Sequence, residues 1–415
     1  MRKRIPIAAA LALTVIAAPA AASAAPSDTP PLDPETLGRQ LEEFAATGDH
    51  STIAEVRVGD EVWSEAIGPR GMEAGAEDAE VGDRFRIASL SKSMVSTILL
   101  QLQAEGAVDL DATIDEYLPD LIPYEDMPTV RQLLQHTGGA YDYFPYLYTS
   151  LYESGDLTDF IENHDTHYTP EELVAIGTQG PQLFEPGTDW SYSNAGYVAL
   201  GLLIENLTGN SLGYELERRV FEPVGMDDTY QPHDDSYGFR GDHLTPYLTT
   251  GDAENPYLDT STMSNTQLWS AGAIISTAED VNDFYDAFVD GTLLDEEQLA
   301  QATAYIPTEL GYDYGLGLTG LPIPCPGQEE QVFLGHTGGG LGHQTYSFHS
   351  PDGERQVTVT WNVDDWHGYV DPEEFNLELS EFLVSGLCGI DAGAQTLRTQ
   401  ELPDFAAMAE QMRIG

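Results

Sequence analysis

Apolar residues recur with two different periods along the first hundred positions. Over residues 33–46, Leu37, Leu41 and Phe44 fall on one face of a helix whose start is marked by Asp33 before Pro34. From Thr52 to Val58 and from Glu61 to Ile67 the period shortens to that of a strand, and Gly59-Asp60 between the runs predicts a hairpin. Residues 68–83, rich in glycine and acidic side chains, read as a loop. From Ser89 to Gln103 the helical period returns, with Met94, Val95, Ile98, Leu99 and Leu102 as its apolar stripe.

Helical signals continue at 130–135, 170–176, 195–207 and 213–220, separated by long polar loops, and strand character is weak as far as residue 265. Strand-like runs return at 332–334, 344–348 and 356–361, and a helix over 373–387 closes the pattern. This order predicts an α+β fold, an antiparallel sheet flanked by helices. Residues 26–90 and 266–392 would build the sheet domain, 91–265 an inserted, mostly helical domain, and 393–415 a C-terminal tail.

The chain of 415 residues, 41% apolar, is long enough to bury a large core. Arg2, Lys3 and Arg4 precede an apolar run from Ile5 to Ala18 and a small-residue stretch ending in Ala22-Ser23-Ala24, the pattern of a secretory signal over residues 1–25. A membrane span needs ~18 or more apolar residues, and Pro19 interrupts this run. The expected location is therefore extracellular, with no membrane association. In that oxidising space Cys325 and Cys388, the two cysteines, are expected to form one disulfide. They are too few for a thiolate zinc site, and His164 and His167 sit in a polar stretch without helical period, so neither a metal nor a cofactor is expected.

Seventy acidic residues against 16 basic ones give a formal net charge of −54, which loss of the three cations in the signal takes to −57. The acids are dispersed, as in a solvated shell suited to salt, and they repel nucleic acid and anionic membranes. One detail of this balance bears on chemistry. The lysines are Lys3, inside the signal, and Lys92. Arginine stays charged under all ordinary conditions, whereas a desolvated lysine can act as a base, so a chain that keeps one lysine points to that position.

Ser89 and Lys92 are three positions apart at the start of a helix, which sets an amine beside a hydroxyl. A serine hydroxyl attacks poorly until a neighbouring base takes its proton. Alone, this spacing equally describes a capping serine near a solvated lysine. Tyr192 and Asn194 flank Ser193 on a turn before an apolar helix, where one can handle a proton and the other hold an amide; an ordinary helix cap is the bland alternative. His336-Thr337-Gly338-Gly339 lies between two strand-like runs, with small residues that let a substrate lie along a strand edge. The same tetrapeptide at 136–139 follows a helical run and reads as a helix end that shapes the site. Ser211 sits in a Gly-x-Ser-x-Gly match that lacks the preceding strand such an elbow requires.

Ser-x-x-Lys, Tyr-x-Asn and His-Thr-Gly in this order resemble the serine β-lactamase and penicillin-binding family, and within it the secreted D-alanyl-D-alanine carboxypeptidases of actinomycetes and the class C β-lactamases. The resemblance implies a β-lactamase/transpeptidase-like fold and Ser89 as an acylated nucleophile. It implies that Lys92 and Tyr192 share the proton transfers, leaving open which acts first, and that Asn194, His336, Thr337 and Gly338 contact the substrate. The N–H groups of Ser89 and Gly339 would form the oxyanion hole. The implied activity is D-alanyl-D-alanine carboxypeptidase-like hydrolysis, with an esterase or β-lactamase, or a non-catalytic penicillin-binding sensor, as alternatives. The implied partner is a small peptide, ester or β-lactam bound by a monomer. One departure stands out: carboxypeptidases of this group hold the terminal carboxylate with an arginine before His-Thr-Gly and a second threonine after it, but here no Arg or Lys lies between Arg240 and Arg355 and Gly339 replaces the threonine.

Overall fold

The computed structural model describes residues 30–391 except 49, 235 and 328–330, together with 393, 397, 403, 405 and 408. The signal read at residues 1–25 lies outside the described residues. The two N-terminal strands, Thr52–Val58 and Glu61–Ile67, pair around Gly59, which takes the left-handed φ of 53° that the turn requires.

The first of these strands also pairs with Arg355–Trp361, Thr52 opposite Trp361 and Val58 opposite Arg355. That pairing joins the two ends of the chain into one sheet of eight strands. From the hairpin edge inward its order is Glu61–Ile67, Thr52–Val58, Arg355–Trp361, His343–His349, Gln331–Gly340, Thr319–Ile323, Asp313–Tyr314 and Ile306–Pro307. Every neighbouring pair is antiparallel, so the fold is α+β.

Helices Pro34–Ala46 and Pro372–Cys388 cover one face, where Leu41, Phe44, Val357, Val359 and Phe382 meet in a buried layer. Each fully buried Leu, Val or Phe contributes roughly 1.5–3 kcal/mol. The stretch read as a tail sends Leu397, Phe405 and Met408 into this same layer. Tyr346 donates to the Phe405 carbonyl at 2.6 Å, and the Phe405 N–H donates to Asn376 at 2.8 Å. The opposite face packs on helix Ala278–Val289 and the helical body.

Within that body, helices Val130–Leu134, Pro170–Gly177, Asn194–Thr208 and Leu212–Leu216 coincide with the periodic runs. The short helices Phe144–Leu147, Thr149–Ser154 and Thr158–Asn163 were not predicted, because four to six residues hold too few turns to show a period. Strand Tyr247–Thr249 pairs with Val363–Asp364 on one side and with Tyr257–Asp259 on the other, so the helical segment also carries a strand pair. The sheet's far edge was likewise invisible, since two of its strands have two residues each and the third, Thr319–Ile323, contains Gly and Pro.

Two local expectations need correction. The His336 motif was read as a link between strands, yet strand Gln331–Gly340 runs straight through it. Its glycines serve close approach. A Cβ at Gly338 would collide with the Ile87 carbonyl oxygen, and one at Gly340 would stand 3.0 Å from Ala88 Cβ. Ser89 was read as the first residue of an α-helix. It lies instead on a 3₁₀ turn, Ala88–Leu90, that precedes helix Ser91–Ala104, and Ala88 takes a φ of 47°. Ser211 caps helix Leu212–Leu216, accepting from the Tyr214 N–H at 3.3 Å.

Cys325 and Cys388 are joined, their Cα atoms 5.5 Å apart, tying the turn after strand Thr319–Ile323 to the end of the C-terminal helix. The unreduced protein should titrate no free thiol. Cys388→Ser should lower stability in urea by about 4 kcal/mol, the loop-entropy expectation for a bridge of this span; an unchanged midpoint would show that the buried layer holds this edge alone. Gly338→Ala should lower the urea midpoint by the equivalent of about 1–3 kcal/mol, because the strand cannot accept a Cβ without leaving the Ser89 turn. Wild-type stability in that variant would mean the strand can move aside.

Candidate active site

The positive φ at Ala88 turns the chain so that Ser89 and Lys92 stand on successive turns of one rod. Lys92 Nζ lies 2.9 Å from Ser89 Oγ, 2.8 Å from Asn194 Oδ1 and 2.7 Å from the Ala271 carbonyl oxygen. Lys92 is fully buried, with the rings of Tyr192 and Tyr197 at 4.8 and 5.5 Å from its nitrogen. Burial pulls its pKa well below the usual lysine range, against the opposing pull of the Asp142 carboxylate.

Two of the three lysine partners are pure acceptors, and the third is a hydroxyl. A neutral amine satisfies all three, giving its two N–H bonds to Asn194 and Ala271 and its lone pair to the Ser89 proton. Tyr192 donates to Ser89 Oγ from the other side at 2.7 Å. Burial raises the Tyr192 pKa well above 10, so the phenol keeps its proton.

Asn194 cannot rotate freely. Its Nδ2 donates to Asp142 Oδ2 at 2.9 Å, while Asp142 Oδ1 accepts from the Phe144 N–H at 3.2 Å. This fixes the amide with its oxygen toward Lys92. Burial pushes the Asp142 pKa up. Sequence reading missed Asp142; the available signal was an acid among aromatic residues, three positions after the second His-Thr-Gly-Gly.

That second tetrapeptide is a brace for the tyrosine loop. His136 ends the helix Val130–Leu134 with a φ of 60°, and its Nδ1 accepts from the Ser193 N–H at 3.1 Å. Its ring lies 4.3 Å from that of Tyr192. Its Nε2 is 3.2 Å from the Tyr314 hydroxyl, which is 2.9 Å from His336 Nε2. His336 Nδ1 meets the Thr337 carbonyl at 2.5 Å. Burial lowers the pKa of both histidines, His336 to about 3, so both are neutral. His336 is 1% exposed and, held between the Tyr314 hydroxyl and the Thr337 carbonyl, stands as a support behind the site. Thr337 and Gly338 are also inside the strand, Thr337 3% exposed and Gly338 against Ile87.

Ser89, Asn194 and Gly339 do open onto a common cleft, together with Phe144, Tyr152, Asp364 and Trp366. A second cavity of about 700 Å³ lies on the Tyr192 side, between Thr137, Trp190, Pro307 and Tyr312. Among the described residues no Lys or Arg lines either space. The acidic trio with ligand atoms within 4.8 Å of one another, Glu43, Glu378 and Glu381, belongs to the terminal helices, across the sheet from Ser89. The arrangement at Ser89 is a hydroxyl between a proton acceptor and a proton donor, which is what nucleophilic acyl transfer needs.

A sequence model of the Beta-lactamase family matches residues 44–379. The structure resembles a D-stereospecific amidohydrolase from Streptomyces sp., with a TM-score of 0.73 and 30% identity, over 86% of this chain and 100% of that one. A D-aminopeptidase of Cereibacter sphaeroides is 26% identical over 68% of this chain and 51% of its own length. Penicillin-binding protein 4* of Bacillus subtilis is 26% identical over 73% of this chain and 65% of its own length. The chain thus spans one half to two thirds of those two relatives. The fold, the serine–lysine–tyrosine cluster and the extent of these matches together make this chain a member of the β-lactamase family of serine hydrolases, to which penicillin-binding proteins also belong.

Proposed function

We propose that this protein is an exported serine hydrolase that cleaves small D-aminoacyl amides and peptides through an ester on Ser89. The observation that carries the reading is the desolvated Lys92 amine, 2.9 Å from Ser89 Oγ, with two further acceptors that leave its lone pair for the hydroxyl proton. Lys92 takes that proton as Ser89 Oγ attacks the substrate carbonyl. The N–H groups of Ser89 and Gly339 hold the developing oxyanion. Tyr192 gives its proton to the leaving nitrogen and is resupplied from the Lys92 ammonium. Water then attacks the ester, with Lys92 and Tyr192 returning the proton to Ser89.

Burial lowers the Lys92 pKa and raises that of Tyr192, which supports lysine as the base and tyrosine as the donor, the division of labour that spacing left open. The names of the similar amidohydrolase and aminopeptidase support D-aminoacyl substrates. A carboxypeptidase reading is weaker, because among the described residues no Lys or Arg lines the cleft at Ser89 or the cavity beside Tyr192. The basic, apolar and small-residue order of residues 1–25 and the disulfide support export.

The direct test is intact-mass detection of an acyl adduct after mixing with D-alanyl p-nitroanilide or a penicillin. Ser89→Ala should keep the fold and lose the adduct. Lys92→Arg keeps charge and most of the bulk, yet should lower turnover by about 10²- to 10⁴-fold, since a guanidinium cannot accept the proton. Acylation at the wild-type rate in that variant would refute the base role.

The pH profile supplies a separate check. The base works only when deprotonated, so kcat/KM should rise with pH along a limb centred well below 10.5, lysine's ordinary value. The raised Tyr192 pKa should leave no falling limb below pH 10 from that group. A rising limb at the ordinary lysine value would contradict the desolvated amine.

A further inference from the structure

Two spaces of different chemistry adjoin the catalytic residues, one bordered by Ser89 and the other by Tyr192. Tyr192, which gives a proton to the departing nitrogen, faces the cavity of about 700 Å³, and that cavity is therefore the leaving-group side. Asn194 and Gly339 open on the other space, which receives the acyl part of the substrate. That space is small, with about 20 Å³ free, room for one group the size of an ammonium or a methyl.

Its lining is unusual for an acyl pocket. Asp364 is only 2% exposed, yet it is one of the residues that border the cleft. The Trp366 indole N–H donates to its Oδ2 at 3.0 Å, which fixes the direction of the carboxylate. Beside it, the rings of Tyr152 and Trp366 meet edge to face at 5.1 Å, and both border the cleft. A carboxylate backed by aromatic rings binds an ammonium group, through charge-assisted hydrogen bonds to the oxygens and the attraction of a cation to the ring faces. A neutral acyl group gains nothing from such a wall, and an anionic one is repelled by it.

We propose that Asp364, with the Tyr152 and Trp366 rings, binds the protonated α-amino group of the substrate's acyl residue, so that the enzyme requires a free N-terminal amine. This assignment rests on the D-aminoacyl hydrolase reading and names the group that confers it. It also accords with the lack, among the described residues, of a Lys or Arg lining either space: selectivity comes from the amine end of the substrate.

The test compares D-alanyl p-nitroanilide with its N-acetyl derivative. The wild-type chain should prefer the free amine by about 10- to 100-fold, the range for a charged hydrogen bond. Asp364→Asn should collapse that ratio toward one, mainly through a higher KM for the amine. An independent measurement needs no variant: D-alaninamide should inhibit wild-type hydrolysis of p-nitrophenyl acetate about 10-fold or more strongly than D-lactamide, which carries a hydroxyl in place of the ammonium. A preference for the free amine that survives in Asp364→Asn, or equal inhibition by the two amides, would overturn this site and leave the D-aminoacyl reading standing. A wild-type chain that cleaves p-nitrophenyl acetate but neither anilide would sink that reading, and this site with it.

Discussion

The burial of one amine organises this molecule. A lysine in water keeps its proton to high pH, and only removal of solvent makes the neutral form accessible near neutrality. Lys92 is enclosed by Ser89, Asn194, the Ala271 carbonyl and two tyrosine rings. The rings and Asp142 favour its charged form, and desolvation outweighs them. A fully buried ammonium without partners would be costly by several kcal/mol. The three acceptors keep the amine inside in either protonation state, which a group that must cycle between the two requires.

Holding those partners demands backbone conformations that side chains resist. Ala88, His136 and Trp269 are non-glycine residues with φ of 47°, 60° and 35°. Each adjoins a different part of the site: Ala88 precedes Ser89, His136 braces the Tyr192 loop, and Trp269 opens the helix Trp269–Gly272 that carries Ala271. Left-handed conformations of this kind cost of order 1–3 kcal/mol each and persist only where surrounding packing imposes them. That packing comes from the sheet. Strand Gln331–Gly340 presses on the Ser89 turn through Gly338, and His336 reaches through Tyr314 to His136. Gly338 and His336 of the strand motif are thus instruments of placement more than of chemistry.

The charge distribution complements this design. Against a net charge of −54, two of the few cations work beneath the surface as ties. Arg57 joins Glu55 to Asp283, and Arg219 joins Glu105 to Glu215. Both arginines are at most 13% exposed, so these ties are screened less by salt than bridges in open solvent. An acidic exterior draws cationic solutes inward and repels anionic ones. That field favours a substrate with a free amine, in the same sense as the acid in the wall of the acyl cleft.

The amino-acid order by itself determined the sheet's outer hairpin, the long helices, the pairing of two cysteines and the three motifs, because each is written in neighbouring residues as a period, a turn dipeptide or a fixed spacing. The lone internal lysine even marked where a base should be. It did not show the eight-stranded order, since the partner of Thr52 is Trp361, more than three hundred positions away, and no local pattern encodes a contact at that range. Nor did it show Asp142 or Asp364. Seventy acids look alike in one dimension, and only the folded chain removes water from these two and sets one against Asn194 and the other in the wall of the cleft. His336 was legible as a motif but not in its place, because which face of a strand meets solvent is settled by what packs upon it. Spacing can bring a serine and a lysine onto successive turns; desolvation, which decides whether that lysine is a base, belongs to the tertiary structure alone.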